Sequence, residues 1–236
     1  MTVKQELPAR PGQPIFGAPS PLPHGPHELS REQVAESQRT RLIAALTELM
    51  AAHGYHGVRL AELVSRAGVS KATFYEHFAD KEQCMLAAYD RYARTLIAAI
   101  VPPPNEDAPL ITDFVRGVVT RFIGVIERDP TSARAFFVQL DSAGPEARAR
   151  RRFERRAFAT LVAQGHERFR KRDPSLAPLP TIAYEAIVDA VAGIVRDRLD
   201  SDPAYDLTLL IPDLTLTFSA TFLGADAAQA AAPSSL

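Results

Sequence analysis

The stretch Leu60 to Phe78, LAELVSRAGVSKATFYEHF, constrains the chain more than any other. Leu60, Leu63 and Val64 recur at helical spacing and predict a short helix with one apolar stripe. Ala67-Gly68-Val69 interrupts it, and Gly68 can adopt the positive φ that ends a helix and reverses the chain within about three to four residues. Ser70 then stands where a second helix needs an N-cap. In that helix, from about Lys71 to Phe78, Phe74 and Phe78 share one side. Lys71, Ala72, Thr73, Tyr75 and His77 fall on the others.

Two short helices crossed through a glycine turn form a helix-turn-helix, whose second helix can enter the DNA major groove. Lys71 suits a guanine edge or a phosphate, while Ala72 and the Thr73 methyl suit a thymine methyl. Tyr75 and His77 can donate to phosphate oxygens. The same residues are equally compatible with a helical hairpin in an all-α core with a solvated polar face. Charge does not decide between the two. The chain carries a formal net charge of −1. From Arg31 to Asp90, 7 Lys and Arg stand against 8 Asp and Glu, again −1. Cations for DNA must therefore be placed rather than abundant, and Arg39, Arg41, Arg59, Lys71 and Lys81 are the candidates.

Ala67-Gly68-Val69-Ser70, Thr73-Phe74-Tyr75, His77-Phe78 and Asp80-Lys81-Glu82 together resemble the DNA-binding domain of the TetR family of transcriptional regulators, over about Arg39 to Ala88. The resemblance implies an all-α fold of about nine helices. An N-terminal three-helix DNA-binding domain with the helix-turn-helix is followed by a larger helical effector-binding and dimerisation domain. It also implies that Ser70 and Lys81 join Arg39, Arg41, Arg59, Lys71, Ala72, Thr73, Tyr75 and His77 at DNA, with Lys81 on a phosphate. The sequence departs from the family at Arg59, where a capping Thr or Ser is usual. That loss costs about 1 kcal/mol of capping.

Residues 1–29 hold 7 of the 19 prolines and almost no apolar periodicity, which predicts a mobile tail. Residues 30–80 are expected to form the DNA-binding domain, 81–224 the effector and dimerisation domain, and 225–236 a frayed end. Helix 1 is predicted from Ser30, with Gln33 in capping-box order, to His53-Gly54. Asp80 is placed to cap helix 4, which runs to about Ile100 before Pro102-Pro103-Pro104. Helix 5 is expected over Leu110–Arg128 and helix 6 from Asp129-Pro130. Helix 7 is expected from Gly144-Pro145 to Arg172, helix 8 over Thr181–Leu199 and helix 9 over Thr208–Leu223.

The aromatic and apolar residues of this half suit a ligand pocket: Tyr89 and Tyr92 on helix 4, Phe114, Val118 and Phe122 on helix 5, then Phe137, Phe153 and Tyr184. The resemblance implies an unknown small-molecule effector there, and the phenylalanine content suits an apolar one. Helices 8 and 9 carry wide apolar faces with small residues. Ile187, Val191 and Ile194, with Leu214, Phe218 and Phe222, are expected to pair with a second copy in a four-helix bundle. The homodimer would read a near-palindromic operator in double-stranded DNA, with half-sites about 34–36 Å apart. The arginines from Arg148 to Arg156 read either as a solvated, salt-bridged face or as one or two arginines reaching an anionic ligand or an acidic patch.

No nucleophile elbow, phosphate-cradling glycine loop or metal-ligand spacing is present, so no enzyme activity, metal or cofactor is expected. The single cysteine, Cys84, precludes an internal disulfide and suits a reducing compartment. No apolar run reaches the ~18 residues of a membrane span, and the expected location is the cytoplasm. The expected function is a sequence-specific, ligand-responsive regulator, a repressor released by its ligand. The alternative is a small-molecule-binding or interaction protein whose hairpin is only structural.

Overall fold

The computed structural model describes residues 30–101 and 110–224; the readings for 1–29, for the proline loop and for 225–236 lie outside the described residues. All regular structure among the described residues is helical. In order these are α1 (Arg31–Gly57), α2 (Leu60–Ala67), α3 (Lys71–His77), α4 (Lys81–Ile100), α5 (Ile111–Arg128) and α6 (Pro130–Ala133). Then follow α7 (Pro145–Arg172), α8 (Thr181–Ser201) and α9 (Ile211–Leu223).

The starts and stops follow from local chemistry. The Ser30 hydroxyl accepts from the Gln33 N–H, and the Ser30 N–H donates to Gln33 Oε1, a complete capping box. Gly54 takes φ 71°, so α1 kinks there, and one further turn follows instead of the predicted stop. Gly68, at φ 63° and ψ 42°, closes α2, and the Val69 N–H reaches back to the Val64 carbonyl at 3.0 Å. Ser70 caps α3 through the Thr73 N–H, and Asp80 caps α4 through the Gln83 N–H.

α1 supplies Leu42, Leu46, Leu49 and Met50 to the core, where Leu63 of α2 and Phe74 of α3 meet them, all at most 1% exposed. Truncating Phe74 to Ala would cost about 3–5 kcal/mol. α4 is shared by the two halves. Its first turns bury Cys84 and Met85 among these residues, and its middle packs Tyr89 and Tyr92 on Phe136 at ring-centroid distances of 5.8 and 5.0 Å. Burial pushes the Cys84 thiol up to about 12, which keeps it a protonated hydrophobe.

Helix 6 differs from its prediction. After the α-helical turn Pro130–Ala133 the chain widens into a π-helical segment (Arg134–Gln139) and tightens into a 3-10 turn (Leu140–Ala143). This lets two successive aromatics, Phe136 and Phe137, approach Tyr92, the second at 6.3 Å. Helix 9 likewise begins as a 3-10 turn (Leu207–Leu210), with Pro212 in the first turn of α9. α9 packs along α5 and α8 along α7.

Candidate nucleic-acid interface and ligand cavity

α3 turns Lys71, Ala72, Tyr75 and Glu76 to solvent while Phe74 and Phe78 face the core. Tyr75 is 57% exposed, a large ring left in water beside a cation. Ser70 is occupied as the helix cap, and its hydroxyl shares a 3.0 Å hydrogen bond with Thr73, which is half-buried. Arg59 stands at the N-cap of α2, makes no side-chain capping bond and is exposed. A cation at a helix N-terminus is unfavourable, and an adjacent phosphate would offset that.

Four other side chains predicted to meet DNA have partners inside the protein. Arg41 Nη1 donates to the carbonyls of Ala67 at 2.9 Å and Gly68 at 3.2 Å, clamping the turn. His77 Nε2 donates to Gln38 Oε1 at 3.0 Å, tying α3 to α1. Lys81 Nζ donates to the carbonyls of Tyr55 at 2.9 Å and Val58 at 3.0 Å, where the chain leaves α1, and burial lowers its pKa. Arg39 stacks on the Phe78 ring at 4.6 Å, in a groove shared with Glu32, Glu36 and His77. Sequence spacing fixed which elements carry these side chains but could not show that main-chain carbonyls hold Arg41 and Lys81, or that the Gln38 amide oxygen holds His77.

A cavity of about 260 Å³ lies among α4, α5, the π segment, α7, α8 and α9. Tyr89, Tyr92, Phe114, Val118, Phe122 and Phe137 line it as predicted positions. α7 contributes Arg151, Arg155, Phe158, Val162, Gly165 and Arg168, a stripe at helical spacing that spans about 25 Å of the helix. The walls are largely apolar. Charged groups gather towards the Arg151 end, where Arg155 pairs with Asp189 at 3.0 Å and Arg196 also lines the wall, while Arg168 stands towards the other. Glu154 is held above the usual carboxylate range, by burial first and by Asp90 second. Gly165 lets the Phe114 ring cross α7 closely: a Cβ there would lie 2.6 Å from Phe114 Cζ.

Two pocket expectations need correction. Phe153 is 63% exposed, because the cavity stripe of α7 passes through Arg151, Glu154 and Arg155 and leaves it on the outer face. Tyr184 is buried but sits outside the cavity lining. Its hydroxyl pairs with His166 Nδ1 at 2.8 Å, and the His166 ring stacks near Phe222 at 4.8 Å. Burial, and then Arg170, lower the His166 pKa.

The predicted pairing face is also turned inward. Ile187, Phe218 and Phe222 line the cavity with Val191, and Leu214 is 4% exposed within the chain's own core. Of that set only Ile194 is exposed, at 38%. The outward stripe of α8 is Ile182, Ala186, Ala190 and Ile194, and α9 turns out Thr217 and Thr221. The arginines lining the cavity, Arg151, Arg155, Arg168 and Arg196, were missed as a set. Their signal was the stripe through Phe158 and Gly165, which a sequence of arginines encircling the helix obscured.

The profile of bacterial regulatory proteins of the tetR family matches residues 42–88, from the core stripe of α1 through the helix-turn-helix into α4. Over that stretch this chain is similar to the tetR family. The transcriptional activator FasR of Mycolicibacterium smegmatis is 29% identical over 118 residues, 49% of this chain and 52% of that protein. The transcriptional regulator RutR of Escherichia coli is 24% identical over 118 residues, 49% and 53%. The chain thus spans about half the length of the curated relatives it matches. The likeness of fold extends further. The fatty acid degradation regulator FadR of Bacillus halodurans superposes with a TM-score of 0.68 at 21% identity, covering 75% of this chain and 92% of that one. FadR of Bacillus subtilis, solved in complex with stearoyl-CoA, gives 0.63 at 18% identity, over 74% and 94%.

Proposed function

We propose that this chain is a cytoplasmic, homodimeric, DNA-binding transcriptional regulator whose operator affinity is set by an elongated apolar molecule with an anionic end. Residues 30–80 form its DNA-binding unit and 81–224 its effector and dimerisation unit. The observation that carries this reading is α4, which packs against the helix-turn-helix at Cys84 and Met85 and lines the cavity at Tyr89, Tyr92, Leu96 and Ile100. A ligand that shifts α4 changes where both recognition helices stand. Lys71, Ala72, Tyr75 and Arg59 make the DNA contacts, with Ser70 and Thr73 at the groove edge.

The cavity's length along α7, its apolar walls and its arginines favour an acyl chain bearing an acid or a phosphorylated carrier, and the stearoyl-CoA complex of Bacillus subtilis FadR supports the same class. The outward stripe of α8 with α9 pairs across a two-fold axis and sets the near-palindromic operator. Repression follows where that operator overlaps a promoter; a relative named as an activator fits an operator placed upstream of one. No helix among the described residues is long and apolar enough to cross a membrane.

The deciding experiment is selection from random DNA, followed by titration of the selected operator in salt with and without stearoyl-CoA. A palindromic footprint with salt-dependent affinity that stearoyl-CoA lowers is the expected result. Selection of no sequence would remove the DNA-binding reading.

A further inference from the structure

Arg151 joins the cavity to the helix that carries the signal. Its side chain is 13% exposed and it lines the cavity. Nη1 donates to Asp141 Oδ2 at 2.8 Å, and Nη2 donates to the main-chain carbonyls of Phe136 and Phe137, the latter at 3.2 Å. Both carbonyls belong to the π segment, so this one guanidinium ties the segment to α7. The side chains of the same two residues line the cavity.

The far side of this segment bears on the DNA-binding unit. A Cβ on Gly54, at the kink of α1, would lie 3.1 Å from Gln139 Oε1, and His56 Nε2 donates to the Ser142 carbonyl at 2.7 Å. The π segment and the turn after it therefore stand between the cavity and the end of α1. π-helical turns are rare and recur at functional sites.

Charge at this end is uneven. Arg151 and Arg196 share the single carboxylate of Asp141, at 2.8 and 3.4 Å, which leaves a formal excess of one positive charge. Arg155 is neutralised by Asp189. Glu154 stands among Asp90, Arg150 and Arg94, two acids against two bases. Arg168 is exposed, where water screens it, whereas Arg151 acts in a low-dielectric wall.

We propose that Arg151 is the residue that recognises the anionic end of the effector, and that the acid takes this guanidinium from the Phe136 and Phe137 carbonyls, loosening the π segment and the end of α1 that rests on it. This rests on the cavity being the effector site. The exchange is favourable because a carboxylate adds an opposite charge and accepts two parallel N–H···O bonds that match the guanidinium fork, whereas a carbonyl is uncharged. The ligand shifts the segment because it binds the released form better than the clamped one.

The test is equilibrium binding of hexadecanoate and of uncharged 1-hexadecanol by native mass spectrometry, with amide hydrogen exchange on the same samples. Wild type should bind the acid about tenfold more tightly than the alcohol. In Arg151→Gln the two should bind equally, with the alcohol within about twofold of wild type. Arg151→Lys, which keeps the charge and loses the fork, should lose most of the preference while retaining its melting temperature. Hexadecanoate, and not the alcohol, should speed exchange in residues 134–143 and 54–58 of wild type. Arg151→Gln should exchange fast there without ligand. An undiminished acid preference in Arg151→Gln and Arg151→Lys would overturn the proposal and leave the cavity reading standing. Binding of neither compound to wild type would overturn both.

Discussion

Lys81 Nζ lies 4.3 Å from the centre of the Tyr55 ring and donates to the Tyr55 carbonyl at 2.9 Å. With the bond to Val58 O, this one ammonium closes the end of α1 against the start of α4. Lys81→Ala should therefore act on stability first, lowering it by about 2 kcal/mol through two lost charged hydrogen bonds. The checks are a urea melt and operator binding measured at a temperature where the variant is fully folded. A variant with unchanged stability and abolished DNA binding would return Lys81 to the phosphate backbone.

Arg59 and Tyr75 should behave in the opposite way. Both are exposed, so Arg59→Ala and Tyr75→Phe should leave the melting temperature within a degree or two while weakening DNA binding across all sequences. Arg59→Ala should also reduce the slope of log affinity against log salt by about 1. A changed base preference in the selected operator would mean that these side chains read base edges.

Gly165 and Phe114 set the local width of the cavity. In Gly165→Ala the new methyl, 2.6 Å from Phe114 Cζ, must push that ring aside. Overpacking costs about 1–3 kcal/mol, offset by about 1 kcal/mol of helix propensity, so the fold should survive. Binding of a sixteen-carbon acid should fall more than binding of a ten-carbon acid, as titration of the two would show. Equal losses would mean that the ring does not control length.

The pairing face is testable through charge. Ala190→Asp and Ile194→Asp, on the outward stripe of α8, should convert a dimer to monomers in sedimentation and reduce operator affinity at least tenfold. Phe218→Ala, on an inward residue 6% exposed, should instead cost about 3–5 kcal/mol of stability and leave the association state unchanged.

His166 makes stability depend on pH. Its folded-state pKa is lowered from 6.5, by burial first and Arg170 second. The unfolded chain therefore binds a proton that the folded chain excludes. Stability from this group is complete above pH 6.5 and is lost as pH falls from there towards the folded value, at no more than about 1.4 kcal/mol per pH unit. Melts at pH 7.5 and 5.5 should show a steeper fall for wild type than for His166→Gln, which can still bond Tyr184. Parallel falls would assign the acid sensitivity to other groups.

What could be read from the sequence is what neighbours along the chain decide. Ser30, Ser70 and Asp80 cap the helices they precede, and Gly68 takes the left-handed turn, because these bonds close within a few residues of backbone. The helix-turn-helix and the order of the helices were legible for that reason, as was the set of aromatics on α4 and α5. Tertiary packing decided the rest. α8 and α9 are apolar on more than one side, so periodicity could not tell the face of Phe218 and Phe222, which closes the cavity, from the face of Ala190 and Ile194, which stays open. Arg41, Lys81 and Arg151 have long side chains whose partners lie 26, 26 and 15 residues away. Only once distant carbonyls are folded against them do such cations acquire fixed roles, since in water no geometry favours one acceptor over another.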